Sequence, residues 1–172
     1  MSSLLEHFGL VIEHGKTEVF HFSRVHGAFN PLSLDLTILG GLILCSKEMG
    51  YYLGFIFNKK LTFQQHIKFY ANKAISTIKS MKMLGNSLRG LIPSQKYLLY
   101  RSCILPIPLY GFPLWYYNKA PLAYLFKKLR NMQWKAAIWI LEAFQTSLSF
   151  GIGAIIGLIL IYSHLQKLRN RL

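Results

Sequence analysis

Tyr51 to Ala74 reads YYLGFIFNKKLTFQQHIKFYANKA, and in that order the residues spell a strand, a tight basic turn and a helix. Tyr51 to Phe57 is rich in the aromatic and branched side chains that suit a pleated, half-buried surface. Asn58, Lys59 and Lys60 then turn the chain. Thr62 and Gln65 stand at capping-box spacing, each side chain placed to satisfy a backbone group left open at a helix start. The helix is expected from about Phe63 to Met83. Ile67, Tyr70, Ala71, Ala74, Ile78 and Met81 fall on one face, and Lys68, Lys79 and Lys82 on the other.

Upstream, Leu4, Leu5, Phe8, Val11 and Ile12 recur at helical spacing and predict a short amphipathic helix that Gly15 can stop. Thr17, Val19, Phe20 and Phe22 read as a strand, Val25 to Pro31 as a loop, and Leu34 to Leu44 as short strands interrupted by Gly40 and Gly41. Downstream, Gly85 ends the long helix. Pro93 opens a second helix at its first position, running to about Leu105 before Pro106 and Pro108 break it. A third helix is expected from about Leu122 to Phe144, with Leu125, Leu129, Met132, Ala136, Ile140 and Leu141 inward and Lys127, Lys128, Arg130 and Lys135 nearby. A last helix spans about Phe150 to Leu168. The fold class is therefore α+β, short antiparallel strands followed by a mainly helical region.

The chain has 172 residues, enough for one domain with a modest core. Twenty Lys and Arg stand against six Asp and Glu, a net charge of +14, so a polyanion is the natural partner. The basic residues run from Lys16 to Arg171 and predict a broad electropositive surface, not a charged tail. Cys45 and Cys103 have neither disulfide-framework nor zinc-site spacing. The N-terminal residues lack the basic start and long apolar core of a secretory signal, which points to an intracellular location, nucleus or cytoplasm.

Several chemistries are missing. Two-metal phosphoryl transfer needs clustered carboxylates, and Asp35 is the chain's one aspartate, with no acidic neighbour in sequence. The six histidines lack the helical pairing of a zinc hydrolase, and no phosphate-binding glycine loop or nucleophile elbow is present. These absences predict no catalytic residues, no metal, no cofactor and no intrinsic enzymatic activity.

Taken with GLVIEHGKTEVFHFSR (Gly9 to Arg24) and LYRSCILPIPLYGFPLWYY (Leu99 to Tyr117), the opening phrase resembles the reverse transcriptases of non-LTR, LINE-type retrotransposons, fungal ones in particular. The resemblance extends over nearly the whole chain, to the part of the family that follows the YADD-type metal-binding turn. It implies a C-terminal palm remnant with primer-grip-like strands at residues 1–60, thumb-like helices at 61–118 and a helical connection at 119–172. The implied function is a non-catalytic fragment of an RNA-directed DNA polymerase that binds RNA or DNA backbone without reading sequence. In the family, Lys16 matches a lysine beside the incoming nucleotide, and Gly54 would let the backbone approach the primer end with Lys59 and Lys60 at its phosphates. Lys68, Lys73, Lys79, Lys82, Arg89, Lys96 and Arg101 would line the thumb face that tracks the template and primer. The plainer alternative for each is a solvated lysine, arginine or turn glycine. Asn58, Gly153 and Leu160 depart from the acidic and proline residues usual at those places in relatives, as expected of a copy that has drifted.

Gln145 to Gln166 carries no formal charge, and Phe150 to Tyr162 is wholly apolar or glycine. A membrane-spanning helix wants about 20 predominantly apolar residues, and this core is shorter. Gly153 and Gly157 have the spacing that lets helices approach closely. The alternative function is thus a small basic protein associated with a membrane through Phe150 to Tyr162.

Overall fold

At Leu53 and Gly54 the backbone turns positive in φ twice running, 47° and 80°, and the expected single strand folds back on itself. Both central residues of a type I′ turn take that conformation, and its twist matches paired strands. In the computed structural model, Met49–Tyr52 and Phe55–Asn58 accordingly pair antiparallel, Gly50 opposite Phe57 and Tyr51 opposite Ile56. The structure describes residues 7–9, 17–20, 22, 36–37, 43–44, 47–84, 90–116 and 122–171. In chain order the strands are β1 (Leu36–Thr37), β2 (Ile43–Leu44), β3 (Met49–Tyr52) and β4 (Phe55–Asn58), with β1 and β2 forming a second antiparallel pair. The helices are α1 (Gln64–Met81), α2 (Pro93–Leu99), α3 (Phe112–Trp115), α4 (Leu122–Leu141), α5 (Ser149–Ile156) and α6 (Ile161–Arg169). This is the α+β arrangement that the residue patterns predict.

The chain divides into two units, Met1–Leu61 and Thr62–Leu172. In the first, the segment around Phe20 lies against the hairpin. Lys47 N–H donates to the Val19 carbonyl at 3.0 Å, and Lys47 Nζ pairs with Glu18. A Cβ on Gly50 would stand 2.2 Å from Phe20 Cζ, so only glycine lets that ring close over β3. Phe22 meets Phe57 edge-on at 6.1 Å. Of the strand expected at Thr17 to Phe22, Thr17 to Phe20 form no strand, although this segment lies beside the hairpin. The expected helix from Leu4 to Ile12 lies outside the described residues except for His7, Phe8 and Gly9.

In the second unit, α1 and α4 form the principal helix pair. Ala74 and Ile78 of α1 meet Met132, Ala136 and Ile140 of α4, with Tyr100 and Ile104 closing one side. The two alanines let the backbones approach, which a strict leucine seam would prevent. The start of α1 differs from expectation. Phe63 caps it in the left-handed region (φ 53°), so the helix begins at Gln64 and Thr62 is not its cap. Pro93 does open α2, where Gln95 Oε1 accepts the Ile92 N–H at 3.2 Å. Helical winding continues as a wider π turn, Tyr100–Ile104, up to the proline pair.

The membrane reading of Phe150 to Tyr162 is overturned. Among the described residues no helix is long and apolar enough to cross a membrane. Gly157, at φ 67°, ends α5: its N–H bonds the Ala154 carbonyl at 3.1 Å, and the Leu158 N–H bonds the Gly153 carbonyl at 2.9 Å. That is a Schellman stop, so the glycine spacing serves a helix end. Eight residues of α5 span about 12 Å, against the ~30 Å of a hydrocarbon core. Gln133 of α4 holds the break, donating from Nε2 to the Ile159 carbonyl (2.7 Å) and accepting the Ile161 N–H at Oε1 (3.1 Å).

His66 gives the fold an acid sensitivity. It is buried among Phe63, Tyr70 and Tyr110, with Nε2 3.4 Å from the Tyr110 carbonyl oxygen. Burial pulls its pKa below 6.5, and the carbonyl bond offsets that in part. Above 6.5 the imidazole is neutral in both states. Below it the unfolded chain takes up a proton that the folded chain resists, so stability falls with pH until the lowered folded-state pKa is passed. The urea midpoint is expected to drop between about pH 7.5 and about pH 5.5, and by less in His66→Phe. Equal drops in the two proteins would remove His66 as a cause.

Candidate nucleic-acid interface

The hairpin separates the residues read as a primer grip. Gly54 sits at the turn, and the exposed Lys59 and Lys60 follow β4 at the far end. Five residue steps at about 3.4 Å each put roughly 17 Å between Gly54 and Lys59, so they form no single cluster. Lys16 and Arg89 lie outside the described residues.

On α1 the exposed lysines divide. Lys68 and Lys79 are eleven residues apart, within about 20° of each other around the helix, and Lys82 continues that flank. Lys73 is on the other side, its ammonium 5.9 Å from the Tyr70 ring centroid. Lys96, by contrast, is 3% exposed and ion-paired with Glu142, and so is withdrawn from the basic face. Arg101 is exposed but belongs to a different group. It, Arg171 and Lys167 press on His164, whose pKa is lowered first by burial and then by these three cations.

What the fold brings together is a groove between α1 and α4. Lys79 and Lys82 line it from one side, Lys135 and Trp134 from the other, with the Gln145 amide at its end and a volume of about 220 Å³. Across Trp134 a second, more open cavity of about 630 Å³ is lined by Lys127, Arg130, Asn131, Thr146 and Ser147. Five cations, two amides and two hydroxyls therefore surround one half-buried indole. Such a set can hold phosphate oxygens by charge and hydrogen bonding, and offers an aromatic ring beside them. No three His, Cys, Asp or Glu side chains among the described residues come together as a metal-holding group.

Sequence reasoning found Lys79 and Lys82 but named Lys127, Arg130 and Lys135 only as cations near the inward row of the third helix, and it passed over Trp134. The signal was present: Lys127, Arg130 or Asn131, Trp134 and Ile138 follow the three- and four-residue spacing of one helix face.

The chain is similar to the probable RNA-directed DNA polymerase from transposon BS of Drosophila melanogaster, 31% identical over 77 residues. That match covers 45% of this chain, not the nearly complete span expected from its phrases, and 8% of the relative. The chain thus spans less than a tenth of the length of the curated relative it matches. The similarity is distant and partial, to a retrotransposon-type reverse transcriptase at superfamily level. No family model and no solved structure matches the chain.

Proposed function

We propose that this chain is a non-catalytic reverse-transcriptase remnant that binds nucleic acid through its phosphates, without reading sequence. The observation that carries the reading is the convergence of Lys79, Lys82 and Lys135 on one groove beside Trp134. The partial likeness to a transposon polymerase and the net charge of +14 support the same partner. Lysine at a phosphate acts as a point charge and carries no base information. Polymerisation would need clustered carboxylates; of the six acids, Glu18 and Glu142 are paired with Lys47 and Lys96.

Binding to a labelled RNA or DNA of about 20 nucleotides should weaken steeply as salt rises from roughly 50 to 200 mM, because each phosphate contact releases a counterion. It should change little when the sequence is scrambled. Absent or salt-insensitive binding would remove the reading. Nucleotide incorporation on a primed template with magnesium would remove its non-catalytic half.

A further inference from the structure

We propose that the apolar cavity enclosed by α4, α5 and α6 receives an unpaired base of a single-stranded nucleic acid, with the adjoining phosphate at Arg130. This rests on the phosphate-binding reading and adds the class of strand. The cavity is about 630 Å³, within the usual size of small-ligand sites. Phe126, Trp134 and Tyr162 supply aromatic wall, and Ala123, Gly153 and Ala154 leave the space open. Phe126 and Tyr162 hold each other edge-on at 5.3 Å.

Position makes the assignment specific. Arg130, Trp134 and Ala123 line both this cavity and the basic one that contains Lys127, so the two adjoin along α4. An apolar, ring-lined space opening beside cations fits a nucleotide, whose base is flat and apolar on its faces and whose phosphate is anionic. A duplex keeps its bases stacked and would have to unpair and unstack one to fill the cavity. Gln133, the amide in the wall, is already committed to Ile159 and Ile161. The wall therefore offers chiefly apolar surface, aliphatic and aromatic, and every base has an apolar face.

The test compares fluorescently labelled dT and dA strands of about 12 nucleotides with the duplex they form, at one salt concentration, using the full chain. Each strand is expected to bind roughly tenfold or more tighter than the duplex. Ala154→Trp fills the cavity without changing charge and is expected to erase that preference while duplex affinity, the check on its folding, stays. Trp134→Leu should lower strand affinity and leave the salt slope unchanged. Equal binding of strands and duplex by the unaltered chain, or an Ala154→Trp protein that keeps the preference, would overturn the base pocket and leave the phosphate reading standing. Failure of both strands and duplex to bind would overturn both.

Discussion

Replacing Glu142 by alanine is expected to destabilise the second unit by about 3 kcal/mol, the lower part of the range for removing one partner of a buried ion pair. Lys96 is 3% exposed while the Glu142 side chain is 51% exposed, so water reaches one partner and moderates the loss. The placement of Glu142 shows what the pair demands. It follows the last residue of α4 at φ 53°, and the Ala143 N–H closes back on the Ile138 carbonyl at 3.2 Å. That is the Schellman position where glycine is usual, and a side chain there costs about 1–2 kcal/mol. Glu142→Gly should therefore fall between the native chain and Glu142→Ala, since it relieves the backbone while losing the carboxylate. Lys96→Met removes the charge together with its need for a partner and should cost far less than Glu142→Ala. Thermal or urea unfolding of the three variants checks the order. An alanine variant that unfolds like the native chain would show that the pair carries no stability.

The same pair marks where residue patterns stop informing. Lys96 is one more lysine on a helix in sequence, and its burial depends on Glu142, 46 positions away. Local signals fared well where the cause is local: Pro93 at a helix start, the apolar face of α1, and the inward row of Leu125, Leu129, Met132 and Ala136 on α4. They failed where a residue adopts a conformation against its type. Leu53 and Phe63 both have positive φ, and neither belongs to the residues that advertise such turns. The apolar run after Phe150 reads as one helix because its break is enforced by Gln133, 26 and 28 residues from the groups it bonds.

The site divides along the same line. A flank of lysines on α1 is readable from spacing, whereas the groove exists only because small residues such as Ala74 and Ala136 let α1 and α4 pack closely. That packing brings Lys135 and Trp134 opposite Lys79 and Lys82. Net charge alone could not distinguish this groove from the dispersed cations at Lys73, Arg101 or Lys167.

Changing Lys79, Lys82 and Lys135 together to alanine is expected to lower nucleic-acid affinity by about two to three orders of magnitude at ~0.1 M salt, with a smaller loss as salt rises. The argument is counterion release. Three phosphate contacts contribute about 2.7 to the slope of log affinity against log salt on a duplex, so the variant's slope should be shallower by about that much. A control triple change at Lys59, Lys73 and Lys167 removes the same net charge from positions outside the groove. If affinity merely follows net charge, the two variants will lose binding equally and with equal change of slope, and the groove has no special role. If the groove holds the phosphates, the control keeps most of the native slope because scattered surface charges act through a screened field that fades beyond a Debye length of about 10 Å. Five of the six lysines are exposed and Lys135 is half-buried, so both variants should unfold close to the native midpoint, and a difference in slope then reports contact geometry at the groove.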